Sequence, residues 1–227
     1  MNDMDFIYDF VVCIEATKDF KPTACRVASA LKRFFEELRD EAEASGKTPK
    51  LTRVKFIFFD DVAWCKRPFT ESPFFDLDDV FTTDTIEASI KSVEYEDGHG
   101  YCNAGEALAL ALKSPFHDNG YVRRTILLFS GSEVRPIGGN QTLIQTYPAD
   151  MPKDEAELYR WCDGDIPFHG STGKPKLIFC FCPENRLPAP DILSATGSFS
   201  FGTADDFADY NPSEISTIIK YIVHNDF

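Results

Sequence analysis

The chain alternates between two hydrophobic rhythms. Apolar runs of strand length occur at Phe6 to Ile14, Val54 to Phe59, Arg124 to Phe129 and Lys176 to Cys182. Runs without polar alternation suit parallel strands covered on both faces. Between them lie segments of helical period. From Ala24 to Glu43, Val27, Leu31, Phe34, Phe35 and Leu38 fall at i, i+4, i+7, i+8 and i+11, one buried stripe. Arg26, Lys32, Glu36, Arg39 and Asp40 form its wet face, and Gly46 caps its end. Asp84 to Val93 predicts a short helix capped by Thr83. Ala104 to Lys113, capped by Asn103, has almost no polar face and so belongs against a sheet. Asp154 to Trp161 predicts another short helix. The last starts with Asn211 as cap, Pro212 at the first position and Glu214 completing a capping box, and carries a stripe of Ile215, Ile218, Ile219 and Ile222.

The connections are less regular. Glu15 to Thr23 reads as a polar loop. Residues 62–83 form an aromatic-rich stretch containing Phe69, Phe74, Phe75 and Phe81, with a short edge strand near Ala63 to Lys66. Another short strand falls near Ser198 to Phe201. Strand and helix alternate throughout, without a linker or repeat, so residues 1–227 read as one domain. The architecture is an α/β three-layer sandwich: a mainly parallel central sheet with helices on both faces. Ligands of such sheets gather at the C-terminal strand ends. The loops at Glu15–Thr23, Asp60–Asp61, Asp97–Cys102 and Ser130–Glu133 therefore converge on one edge.

Charge narrows the partners. With 23 Lys and Arg against 37 Asp and Glu, the chain carries −14 over 227 residues. Such a surface repels phosphate backbones and anionic lipid, which points away from nucleic acid and membrane. No apolar run reaches the roughly 20 residues of a membrane span. The start, Met1-Asn2-Asp3-Met4-Asp5, is acidic where a signal peptide is basic. Seven cysteines without paired C-x-x-C spacing read as reduced thiols of a cytoplasmic protein. Cys180 and Cys182 share one strand face and fill core there.

Several motifs read as structural. Gly170 to Pro175 looks like a phosphate loop, but Phe168 and Pro175 stand where it needs glycine and a hydroxyl. Asp60-Asp61 lacks the i, i+2 spacing of an aspartyl phosphotransferase, since position 62 is Val. Ser130-Gly131-Ser132 follows a strand without the Gly-x-Ser-x-Gly of a nucleophile elbow. His99, His117, His169 and His224 have no sequence partner that would make them bases.

Glu15-Ala16-Thr17-Lys18-Asp19-Phe20 directly follows a buried strand. Thr70 to Phe75, Asn103 to Leu112 and Thr125 to Ser130 stand after it in order. In this arrangement the chain resembles von Willebrand factor type A (VWA) domains, in particular a bacterial cytoplasmic subgroup, over nearly its whole length. The resemblance implies a Rossmann-like sandwich whose strand-end loops bind Mg²⁺ or Mn²⁺ at a metal-ion-dependent adhesion site. Carried over, Glu15 stands at the family's first aspartate, Thr17 at its first serine and Asp19 at its second. Cys102, or His99 given loop slack, stands at the threonine, and Gly131 at the third-loop aspartate. Glutamate is one methylene too long, sulfur is soft, and glycine offers no carboxylate to a hard cation that wants oxygen ligands.

The expectation is therefore a non-enzymatic module of a bacterial multi-component system. It would bind another protein, without a cofactor, through a rim of Glu15, Thr17, Lys18, Asp19, His99, Cys102, Ser130 and Ser132. If a metal were held, Glu15, Thr17, Asp19 and His99 would hold it. Two alternatives stand beside this reading. One is a metal-dependent hydrolase or phosphotransferase using Glu15, Asp19, Asp60 and Asp61. The other is metal-dependent adhesion with altered ligands.

Overall fold

The computed structural model describes residues 6–77, 82–138, 147–164, 176–183, 186, 197–200 and 202–224. In chain order the elements are β1 (Phe6–Glu15), α1 (Lys21–Ala44), β2 (Pro49–Phe59), β3 (Phe69–Glu71), β4 (Phe75–Asp76), α2 (Thr82–Ser92), β5 (Tyr101–Cys102), α3 (Ala104–Leu112), β6 (Tyr121–Phe129), β7 (Glu133–Val134), α4 (Glu155–Asp163), β8 (Leu177–Phe181), β9 (Ser198–Ser200), α5 (Ala204–Asp209) and α6 (Pro212–His224). The main sheet runs β3-β2-β1-β6-β8-β9, with β4 also on β2. Strands β1, β2, β6, β8 and β9 are parallel, and the edge pieces β3 and β4 run antiparallel to β2. Helices cover both faces, as the alternating pattern requires. β5 and β7 form a separate parallel pair at the strand ends.

The period of two along the strands sorts side chains onto two faces. Tyr8, Phe10, Val12 and Ile14 of β1 face α1, as do Phe129 of β6 and Phe181 of β8. Phe10 meets Phe35 edge-on at 5.0 Å, Phe129 stacks on Phe181 at 4.7 Å, and Phe207 of α5 caps both. Each buried phenylalanine contributes about 1.5–3 kcal/mol. The opposite face mixes large groups such as Ile57, Phe59, Ile126, Leu128 and Ile178 with small ones. Cys13, Cys180 and Cys182 lie against Ala104, Ala107, Ala109 and Ala111 of α3. At Gly105, an added Cβ would come within 2.7 Å of Ile137. All seven cysteines are free, six of them buried. Burial pushes the thiols of Cys13, Cys102, Cys162, Cys180 and Cys182 up, so they remain protonated packing groups.

Local structure departs from the sequence pattern at several points. No strand forms at Ala63 to Lys66. Asp61 instead closes a turn there, accepting the amides of Trp64 and Cys65, and the edge strands lie further on. The polar stretch before Ala24 is already helical from Lys21, with Pro22 in the first turn. β2 begins at Pro49, five residues before the apolar run. Helix α5 carries a capping box of Thr203 and Asp206, whereas the Asn211 side chain holds the amide of Ser213 rather than pairing with Glu214. Asn103 precedes α3, yet its carboxamide oxygen accepts from Val62 N at 2.9 Å instead of capping. The Gly170–Pro175 segment, Phe168, His169 and Phe81 lie outside the described residues. No helix among the described residues is long and apolar enough to cross a membrane.

Candidate functional site

The strand register brings the predicted loops together. Glu15 pairs with Phe59 at the end of β2, and Ile14 with Phe129 at the end of β6. β1 leads into β2 on one side and lies against β6 on the other. Its C-terminal end is therefore the topological switch point, where open α/β sheets place their ligands. On β1, Val11 and Cys13 face α3, and Glu15 continues that face. Its side chain is fully buried.

Five donors converge on the Glu15 carboxylate. Oε2 accepts the Ser130 hydroxyl at 2.9 Å, the Gly131 amide at 2.8 Å and the Ser132 amide at 3.0 Å. Oε1 accepts the Thr17 hydroxyl at 2.7 Å and the Ser132 hydroxyl at 2.5 Å. A buried carboxylate is costly unless its lone pairs are satisfied, and hydrogen bonds to it are stronger than neutral ones. The longer side chain lets Glu15 cross from the first loop to the third and tie them. Cys102 adds the second loop, its sulfur 3.2 Å from the Ser130 hydroxyl. Thr17 also bridges to Glu96, and the Lys18 amide donates to Glu96 O at 2.8 Å.

This donor set does not fit a hard divalent cation. A cation at an adhesion site is held by oxygen lone pairs. Here the hydroxyl protons of Thr17, Ser130 and Ser132 and two amides all point at one carboxylate. Gly131 brings no carboxylate, and one cannot be added without movement, because a Cβ there would lie 3.0 Å from the Phe20 ring. Cys102, a soft sulfur, is buried beside the Ser130 hydroxyl, whereas His99 is exposed, with its ring 4.8 Å from that of Trp64. Among the described residues no three His, Cys, Asp or Glu side chains gather to hold a metal.

The predicted rim residues therefore separate into two layers. Glu15, Thr17, Cys102 and Ser130 are buried and form a floor, which removes them from direct contact with a partner. Lys18, Asp19 and His99 are exposed above it, and Ser132 is half-buried between. Lys18 pairs with Asp97 at 2.6 Å, which raises the lysine pKa and lowers that of the aspartate. Asp19 lines a cleft of about 430 Å³ over the Glu15 floor, opposite Arg186 and Thr203. The Arg186 guanidinium donates to the Gly131 carbonyl.

Asp60 and Asp61 are engaged elsewhere. Asp61 is held by Arg135 in a two-pronged pair, both contacts 2.7 Å, and accepts Ala63 N at 2.9 Å. Asp60 is buried and accepts Asp61 N at 2.7 Å. Burial raises its pKa, which a bond from the Cys65 thiol partly offsets. His117 sits on Asp9, its amide 2.7 Å from the carboxylate, and His224 on Glu41 at 2.8 Å. Neither histidine adjoins Ser130 or Ser132 in any contact described for them.

The sequence reading passed over Trp64, Tyr101 and Arg135. Trp64 is 63% exposed and Tyr101 39% exposed, beside the rim. Arg135 lies 4.5 Å over the Tyr101 ring while it holds Asp61. The available signal was a tryptophan in a loop directly after a strand-end acid pair.

No protein-family profile and no curated protein matches the chain. Among solved structures, the pilus adhesin SpaC of Lactobacillus rhamnosus GG in its open conformation aligns over 98% of the chain at 11% identity, with a TM-score of 0.55. The chain spans 31% of that adhesin's length. Proximal thread matrix protein 1 from the mussel byssus, with a zinc-occupied MIDAS motif, aligns over 97% of the chain and 48% of its own at 14% identity. Its TM-score of 0.48 is too low to bear on this chain. At 11% identity the likeness to the adhesin shows the fold alone, an α/β, Rossmann-like sandwich.

Proposed function

We propose that this chain is a metal-independent protein-binding module, one domain of VWA type, that grips its partner through the strand-end rim. The observation that carries this reading is the Glu15 carboxylate, which takes all five donors of the loops itself. The first and third loops are thereby held together by an internal group, Cys102 adds the second through Ser130, and the rim above them is ordered in advance. Pre-ordering lowers the entropy cost of association. The likeness to a pilus adhesin is in keeping with an interaction module.

The finer reading comes from the sequence. It is a cytoplasmic component of a bacterial multi-protein system, with another protein as partner rather than nucleic acid or lipid. Its seven free thiols and charge of −14 support this. The reading as a non-enzyme is supported by the engagement of the carboxylates a hydrolase or phosphotransferase would use: Asp61 with Arg135, and Glu15 with the loop donors.

The test is the exchange Lys18→Glu with Asp19→Lys. Both side chains are exposed, so the melting temperature should hold while capture of the partner weakens. Unchanged capture would count against the rim.

A further inference from the structure

The residues between β2 and β3 form a loop that is pinned from inside. Asp60 N donates to Pro68 O at 2.9 Å and closes its base. Asp61 accepts the amides of Ala63, Trp64 and Cys65, the first on its side chain and the others on its carbonyl. The Cys65 thiol turns inward and bonds to Asp60, while Lys66 and Arg67 turn out. The result is a rigid tip that presents Trp64 at 63% exposure. His99 lies against the indole at 4.8 Å, and Arg135, locked on Asp61 of the same loop, carries the Tyr101 ring on its other face. Tyr101 is fixed further by its pairing with Glu133.

Three features distinguish this patch from a chance exposed side chain. Trp, Tyr and Arg are the side chains that most often carry binding energy at interfaces. The backbone of the tip and the Arg135–Asp61 pair are ordered before any partner arrives. The tip also carries two cations on an acidic chain, with Glu96, Asp97 and Glu133 at its border. Lys66 and Arg67 are exposed with no ion-pair partner among the described residues, on a protein of net charge −14. Aromatic groups with free cations could also stack single-stranded nucleic acid. The overall negative field disfavours that occupant and leaves a protein segment as the one the surface fits.

We propose that the Trp64 tip, with His99, Tyr101, Lys66 and Arg67, is the anchor of the partner interface, and that it receives an apolar side chain flanked by acidic residues. This rests on the reading of the strand-end rim as a protein-binding surface and names the partner chemistry for it.

The experiment uses the full chain, isotopically labelled, and follows the Trp64 indole N–H by NMR. The chain's other tryptophan, Trp161, is buried and gives a separate signal. Four probes are titrated: a short peptide with a Leu-Phe pair between glutamates, the same pair between lysines, glutamates alone, and an oligothymidylate. The acid-flanked Leu-Phe peptide should shift the Trp64, His99 and Tyr101 signals and bind less tightly as salt rises. Its affinity should fall about tenfold in Trp64→Ala and again in Lys66→Glu/Arg67→Glu, with melting temperatures retained. Equal binding of the lysine-flanked peptide, or a Trp64 shift by the oligothymidylate or by glutamates alone, would overturn the proposal. Shifts at Asp19 and Ser132 with Trp64 unmoved would overturn the anchor and leave the rim standing. No shift anywhere at the strand ends would count against both.

Discussion

Ser132 grips both oxygens of Glu15, its amide 3.0 Å from Oε2 and its hydroxyl 2.5 Å from Oε1. One residue of the third loop thus straddles the carboxylate that ends the first strand. The consequence is a reversal of polarity. A cation cradle turns oxygen lone pairs inward, whereas this one turns protons inward toward a negative group. The extra methylene of glutamate is what makes the reversal feasible, because it carries the carboxylate across to the Ser130–Ser132 turn. The first and third loops are thereby tied through one carboxylate, by three hydroxyls and two backbone amides.

Substitutions at Glu15 should separate charge from shape. Glu15→Ala leaves five donors in a buried space without an acceptor, and should cost about 3–5 kcal/mol of unfolding free energy. Glu15→Gln keeps an oxygen for the Ser130, Gly131 and Ser132 donors. Its amide then faces two hydroxyls that can rotate to accept, so the loss should be about 1–2 kcal/mol. Urea denaturation of the three proteins measures the order. Equal losses for Gln and Ala would show that the hydrogen bonds matter less than the negative charge.

Arg135 should matter more to stability than its partly exposed position suggests. Arg135→Ala strands the buried Asp61 carboxylate and should cost about 3 kcal/mol. Tyr101→Ala removes only the ring on the outer face of the guanidinium and should cost about 1 kcal/mol or less. Thermal melts of both variants, with Trp64 fluorescence as a local probe, check the order.

Lys176 supplies a pH dependence. Its amine is buried near Arg124, and burial with that neighbouring charge lowers its pKa from 10.5 to about 8. Its amine lies over the ring of Phe116, 5.7 Å from the centroid. For a lysine lowered in the fold, the penalty is full below about pH 8, where both states are protonated. It is relieved as pH rises toward 10.5, because there the unfolded chain holds the proton and the folded one does not. Lys176→Met should therefore raise stability at pH 7, by up to about 3 kcal/mol, and flatten the rise between pH 8 and 10. Denaturation curves across that window test it; an unchanged slope would contradict it.

The legible parts of this molecule were those set by periodicity. The apolar runs of β1, β2, β6 and β8 and the stripe of α1 name their own elements, because burial on both faces or on one leaves a pattern in the chain. The switch-point loops were legible for the same reason, since strand order determines which ends meet. The Ala63 to Lys66 edge strand failed because that segment's structure comes from Asp61 and Arg135, residues 74 apart in sequence. α5 was missed because six residues are too few to show a helical stripe, although Thr203 and Asp206 carry its cap. At the site, the substitutions relative to the VWA pattern were visible, but their meaning was not. Glu15 reads in sequence as a poor metal ligand; only the convergence of Thr17, Ser130, Gly131 and Ser132 turns it into an internal acceptor. Burial of Thr17, Cys102 and Ser130 beneath the rim was equally hidden, because polarity in a loop sequence does not say which residue faces water.

Titration of Mg²⁺ and Mn²⁺ into the chain, followed by calorimetry and by melting temperature, tests the central claim most directly. If Glu15 already holds the loop donors, millimolar metal should give flat heats and leave the melting temperature unmoved, as for any ligand without preference for the folded state. Saturable binding at micromolar metal, with a rise in melting temperature that Glu15→Gln abolishes, would contradict the account.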